Sequence, residues 1–492
     1  MAEEYNRGLF HPWVPGIGQL GFIVLLLAVV LLINPIYAGN ITQMSSSMGI
    51  FTEYYMWGNY ATIIGMSLVL PFIMRVKFRF RSKELMITAL VAMAIMSMII
   101  ATTTIGEIAV VACLIFGMAK MMGMIEVILP IRSILSPDGS PIRFYSVLYP
   151  ITIGSTQFGT FFTSDLSLSV GWQAIHFYAA GILLLAAMLC LIIMHNKRFA
   201  KKMPFYRIDW PGFLCYLTAV MGMAYIFAFG KQQDWFNSRY IQGAVVLIVA
   251  SIIGLLHRQL TGRHPFLMFR LYKRKQVRTG ILLLVAQGMF MGVSSLMPIY
   301  TQAILGYNWV TNVSLSLMTL PGIVAAGFVA YHWIKRFPIK MYIFSGFASY
   351  MLYVVMLYFM MVPELNISQL YLPQLLNGYG MAALFISIWI YTFDGVPMNE
   401  MLPSVTPIMV FRSFIMMALF TALYGWAQYR FQWQSIGDQA VYFDTLQMSY
   451  DATLGHFGTV QYNAILAANK KLFGYTLIAG LGILTYIQGK RI

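Results

Sequence analysis

Charge is scarce in this sequence. Asp, Glu, Lys and Arg make up only 10% of its 492 residues, where soluble domains carry about 25%. A chain so poor in charge cannot dress a folded surface for water, and a soluble globular protein is excluded. Cysteine is scarce too: Cys113, Cys190 and Cys215 all fall inside apolar runs. They supply neither a disulfide framework nor a metal-ligand spacing, so no metal is expected. No G-x-x-x-x-G-K-[ST] loop occurs, which argues against an ATP-driven pump. No constellation of catalytic residues occurs either, so no enzyme activity and no cofactor is expected. Acids are half as many as bases, 16 against 32, for a net charge of +16. The excess raises the question of nucleic acid. The bases, however, sit in short segments between apolar runs, the pattern that orients a chain in a lipid bilayer. No nucleic-acid partner is expected.

Apolar residues are abundant: 59% of the chain is hydrophobic and its mean hydropathy is +0.73. An apolar run of about 18–25 residues suffices to cross a bilayer as a helix. Six such runs lie in the first third, at 15-38, 50-74, 85-104, 108-131, 143-163 and 173-194. Two follow at 209-229 and 240-257, and six close the chain at 279-304, 312-333, 341-361, 371-393, 405-425 and 472-488. The expected fold is therefore an all-α membrane protein with fourteen transmembrane helices, arranged 6 + 2 + 6. The first sixteen residues lack a basic n-region and a small-residue cleavage site, so the first run is read as a retained span, not a signal peptide.

Lys and Arg set the orientation. With the N-terminus inside, the inner segments hold Arg7, the run Arg75 to Lys83, Arg132, Arg143, Lys197 to Arg207, Arg258 to Arg278, Lys335 to Lys340, and Lys490 with Arg491. The outer side receives only Lys231, Arg239, Arg430, Lys470 and Lys471. Both termini are expected in the cytoplasm. The organisation is then a cytoplasmic N-terminus (1-14), a six-helix bundle (15-194), a two-helix insert with basic flanks (195-278) and a second six-helix bundle (279-492). Two six-helix halves in one chain are the build of transporters with parallel repeats. The stretch 426-471 in the last bundle is polar and aromatic. It is expected outside, with short amphipathic helices, either as a cap over the last spans or as a docking surface.

The run 108-131 carries Lys120 and Glu126. A charge inside a span costs roughly 2.5–3.5 kcal/mol and needs a partner or a watery cavity. Six residues apart on a helix, the two point ~120° away from each other and differ by ~9 Å in height. Each therefore needs a partner on another helix; for Lys120 the candidates are Glu53 or an anionic group of a substrate. Gly117 and Gly123 leave little bulk around Lys120. Two readings stand: a polar interior lined by several helices, or a buried ion pair that orients the bundle. Glu53 and Glu126 are candidates for carrying a proton, since burial raises a carboxyl pKa toward working pH. Asp394 and Arg412 are candidates for gating or structural charge. Uncharged polar residues within the spans include Asn34, Thr156, Gln157, Gln302 and Gln374. Interhelical hydrogen bonding explains such residues in general, and these five are the candidates for substrate contact beside Lys120. The 36 methionines suit gap-filling in packed spans, and also surfaces that adapt to many shapes.

From Asp209 onward the residues resemble a known family. GKQQDWFNS (230-238), HPFLMFRLYKRKQVRTG (264-280) and MPIYTQAILGYNWVTNVSLSLMTLPGIV (297-324) are similar to segments of the fourteen-span drug:proton antiporters of the major facilitator superfamily, the EmrB/QacA type. LPQLLNGYGMAALFISI (372-388) and VFRSFIMMALFTALYG (410-425) resemble the family's twelfth and thirteenth spans, with Arg412 at the family's arginine. In the first half, GWQAIHFYAAGILLL (171-185) resembles the start of the family's sixth span. The departures fall on the export-coupling motifs. RVKFRFRSK replaces the turn after the second span, Lys120 stands near the fourth-span arginine, the fifth-span Gly-Pro is absent, and Asn34 stands where a first-span acid is usual. The resemblance implies a major facilitator fold and proton-coupled efflux of apolar or amphipathic compounds from the bacterial inner membrane. It names protons, small-molecule substrates and the lipid bilayer as partners, and points to a periplasmic adaptor with an outer-membrane channel. Two alternatives stay open: a uniporter or importer of a narrow substrate, and a non-transporting membrane partner of an adaptor.

Overall fold

The computed structural model describes residues 9–137, 140–196, 209–262, 266–267, 269–396, 398–444 and 450–490. Arg7, Lys197, Arg198, Lys201, Lys202, Arg207, Arg263 and Arg491, named above for orientation, lie outside the described residues. Among the described residues there are helices and turns and no β-strand, only an isolated antiparallel bridge between Phe10 and Met194.

A helix coincides with each of the expected spans. In chain order they are α1 (Gly16–Leu32), α2 (Thr52–Val69), α3 (Ser82–Thr102), α4 (Gly106–Leu135), α5 (Pro141–Val170), α6 (Trp172–Ile193), α7 (Trp210–Phe229) and α8 (Arg239–Thr261). Then come α9 (Lys275–Ile304), α10 (Trp309–Trp333), α11 (Ile339–Met360) and α12 (Tyr371–Phe393). α13 runs through Met398–Val410, the π-helical turn Phe411–Met416 and Met417–Asp444; α14 is Tyr450–Gly489. Eleven of these are long and apolar enough to cross a membrane, while α1 is apolar but shorter. α2 and α5 are long enough but more polar. The chain is an integral membrane protein by this count of apolar helices.

Local sequence sets several boundaries. α1 stops at Leu32 because Asn34 precedes Pro35, and a residue before proline is driven out of the helical region. The helix has already ended at Ile33, which is extended, with ψ 122°. α5 passes to α6 through Gly171 at φ 82°, a conformation other residues rarely adopt. The polar segment 426-471 is not a loop with short helices. α13 continues to Asp444, and α14, of 40 residues, begins at Tyr450. Polarity here does not stop the helix.

The chain divides into two compact units. The first comprises residues 1–144, 159–278 and 393–415, and the second 145–158, 279–392 and 416–492. In the first unit, α1, α3, α4 and α6 share a core that includes Phe22, Val30, Met86, Met93, Phe116 and Leu183. α2 and α4 pack backbone to backbone. A Cβ on Gly65 would overlap the Leu114 carbonyl oxygen, and one on Gly117 would overlap the Thr62 carbonyl oxygen. The second unit repeats this device between α10 and α12: a Cβ on Gly322 would overlap the Leu375 oxygen, and one on Gly378 the Thr319 oxygen. The motif is Thr-x-x-Gly on one helix and Leu-x-x-Gly on the other in both units. Small residues permit such close approach, and packing is what holds helices together in lipid.

Candidate functional site

The site is built where α4 passes the broken end of α1. A helix leaves its last four carbonyls without intrahelical partners, and these carry the negative end of the macrodipole. Lys120 meets them. Its Nζ donates to the Leu31 oxygen at 3.3 Å, the Ile33 oxygen at 2.9 Å and Asn34 Oδ1 at 2.6 Å. An ammonium has three donors, and all three are used. Lys120 is only 5% exposed. Among the described residues no carboxylate comes within ion-pair distance of it. The Asn34 N–H in turn donates to the Tyr37 hydroxyl at 3.4 Å. The centre is thus a cation held entirely by neutral oxygens. It can exchange a partner without stranding a buried negative charge.

Glu53 is not the partner of Lys120. α2 and α4 run side by side in the same direction, since Gly58 packs on Cys113 and Gly65 on Leu114 and Met118. Glu53 lies in the first turn of α2 and accepts from Thr52 Oγ1 at 3.1 Å. The next residue, Tyr54, donates to Glu107 at 2.6 Å at the start of α4. Lys120 is some thirteen residues further along α4, about 20 Å away along the axis. Glu107 was missed in the sequence because it sits just before the apolar run that drew attention.

Glu126 has its own partner. Lys77, on the short helix Ile73–Arg79 that follows α2, approaches its Oε2 at 3.0 Å, with side chains 8% and 4% exposed. Gly117 is committed to the α2–α4 contact instead of clearing space for Lys120, whereas Gly123 packs loosely near Val30, Met86 and Ala89.

Of the other candidates in the first unit, Asp394 is exposed just past α12, and Arg412 is buried in the π-helical turn of α13. The remaining candidates belong to the second unit. Thr156 is exposed and donates to the Thr152 carbonyl of its own helix at 3.0 Å, while Gln157 is half-buried. Gln302 is exposed in the π-helical turn Tyr300–Ile304 of α9, where Thr301 is hydrogen-bonded to Asn312. Gln374 is buried and accepts from Asn377 Nδ2 at 3.2 Å. Single π-helical turns concentrate at functional positions, and α9 and α13 each contain one. The structure therefore brings Lys120 and Asn34 together and gives Glu126 to Lys77.

Lys120 is thus a buried basic group in a helical membrane unit, held by two backbone carbonyls and the Asn34 side chain. No family model matches the chain. It is 27% identical over 242 residues to the probable multidrug resistance protein EmrY of Escherichia coli K12, covering 48% of this chain and 45% of that protein. It is 24% identical over 269 residues to the multidrug export protein EmrB of Haemophilus influenzae, covering 54% and 51%. The chain is similar to EmrB-type export proteins. It spans about half the length of the curated relatives it matches.

Solved transporters share the fold over nearly the whole chain. The nucleoside transporter NupG aligns with a TM-score of 0.54 and 13% identity, covering 96% of this chain and 99% of that one. The human organic anion transporter MFSD10 aligns with a TM-score of 0.51 and 12% identity, covering 94% and 97%. The major facilitator fold and the EmrB-type resemblance read from the sequence are both supported.

Proposed function

We propose that the chain is a proton-coupled secondary transporter that exports apolar or amphipathic small molecules across the bacterial inner membrane by alternating access. One observation carries this: about half of the chain is similar to multidrug export proteins. All fourteen helices would cross the bilayer, with both termini cytoplasmic, as the Lys and Arg asymmetry requires. The 15-194 bundle would rock against the 279-488 bundle, with 195-278 as an insert. At 1.5 Å per residue, the 40 residues of α14 reach ~60 Å, twice a hydrocarbon core of ~30 Å. Its first half, with the end of α13, would stand outside as a hairpin on which a periplasmic adaptor docks, leading to an outer-membrane channel.

Within the first unit, Lys120 and Asn34 would meet the compound, and the carboxylates Glu53 and Glu126 would carry the proton. Asp394 and Arg412 would act on gating or on structure. In the second unit, Thr156, Gln157, Gln302 and Gln374 would supply further polar contacts. Asn34 in place of an acid favours a second reading, uniport or import of a narrow substrate. Proteoliposomes with an imposed pH gradient separate the two. With ethidium as a flat amphipathic probe, uphill accumulation that collapses on adding an uncoupler is expected, and the double variant Lys77→Met/Glu126→Gln, which strands neither partner of the buried pair, should retain binding but lose the uphill step. Downhill flux indifferent to the gradient would favour uniport. No flux, with adaptor binding intact, would favour the non-transporting partner.

A further inference from the structure

The segment ahead of α1 runs antiparallel to the chain leaving α6. The His11 N–H donates to the Ile193 carbonyl at 3.1 Å, and the His195 N–H donates to the Leu9 carbonyl at 2.8 Å. Phe10 and Met194 are the bridged pair between them, and both are buried. Side chains alternate along extended backbone, so His11 and His195 both stand on the face opposite Phe10 and Met194. Their ring centres are 5.0 Å apart, with planes tilted by 55°. His195 Nδ1 is shielded from solvent and has no hydrogen-bond partner.

That separation has a metrical meaning. A zinc-class ion sits ~2.0–2.1 Å from an imidazole nitrogen and hence ~3.2 Å from the ring centre, so two imidazoles in tetrahedral positions stand ~5.2 Å apart. The observed 5.0 Å matches. We propose that His11 and His195 form a two-histidine site for a divalent ion of the zinc, nickel or copper class. Among the described residues no third His, Cys, Asp or Glu joins a metal-holding group. Water therefore completes the coordination, and the ion exchanges readily. Imidazole donors favour Cu²⁺ over Ni²⁺ and Zn²⁺, and leave Mg²⁺ and Ca²⁺ unbound. A bound ion staples the N-terminal segment to the chain leaving α6.

The test uses the full-length protein with any purification tag removed. Cu²⁺ is titrated in and followed by electron paramagnetic resonance. One saturable site with two imidazole nitrogens around copper is expected, and a signal from one nitrogen or none would overturn the site without any variant. Zn²⁺ should raise the melting temperature of the wild type and of His332→Ala, an exposed histidine elsewhere. The shift should vanish, and affinity fall at least tenfold, in His11→Gln and His195→Gln. Unchanged affinity in both would also refute the assignment.

Discussion

Replacing Gly65 or Gly117 with alanine should destabilise the protein by about 3 kcal/mol, the upper end of the usual range for overpacking. Adding a methyl to a helical glycine normally helps, by up to ~1 kcal/mol, because the unfolded chain loses freedom and helix propensity rises. Here the sign reverses, because the new carbon meets a backbone oxygen, of Leu114 or of Thr62. A side chain could rotate away; a helical carbonyl cannot. The two helices must separate, and the contact is reciprocal, so the whole α2–α4 interface opens. Gly322→Ala and Gly378→Ala should behave alike, since the same device joins α10 and α12. Gly21 and Gly243 have open space where a Cβ would stand, so Gly21→Ala and Gly243→Ala serve as controls that melt at or above the wild type. Thermal unfolding of the detergent-purified variants measures this. A Gly65→Ala protein as stable as the controls would show that the close approach is not what holds these helices.

Lys77→Met should be nearly as damaging. It leaves the Glu126 carboxylate, buried at 4% exposure, without its cation. Removing one partner of a buried pair costs about 3–5 kcal/mol, whereas removing both is often close to neutral. The double variant Lys77→Met/Glu126→Gln should therefore recover most of the lost stability. If Glu126 also carries the proton, the double variant folds but accumulates no compound against a gradient. A Lys77→Met protein that melts with the wild type would mean that Glu126 is satisfied some other way.

These contrasts mark what can be read from residues alone. The helices were legible because apolar length in a membrane is nearly a sufficient condition for a helix. Their ends were less legible: the first span was read as 15-38, running through Pro35, whereas its helix stops at Leu32. The long extensions of α13 and α14 were hidden, because hydropathy reports apolar length and these parts are polar. At the site, Lys120 announced itself as an isolated cation in a span, and Asn34 as a polar residue in another. That Lys120 is held by the carbonyls of Leu31 and Ile33 was invisible, since backbone oxygens leave no mark in a sequence. The sign of it was the Asn34-Pro35 break, which frees those oxygens. The partner of Glu126 was expected on another helix but could not be named, because Lys77 lies in a basic run that was read for orientation, where charges are expected to face water. His11 and His195 show the same limit, for they meet only because two distant extended segments pair.

The most direct measurement is gradient-driven transport by Lys120→Met in proteoliposomes, beside the wild type and Lys120→Arg. Methionine removes the charge and keeps the length. No countercharge is stranded, because the partners of Lys120 are neutral oxygens. The loss of stability should therefore stay below that of Lys77→Met, within about 1–3 kcal/mol for the carbonyls left unpaired. Such a protein, folded and reconstituted, is expected to show no uphill accumulation of ethidium, while Lys120→Arg retains part of it. Accumulation by Lys120→Met at the wild-type rate would contradict the placing of the transport centre at Lys120 and Asn34.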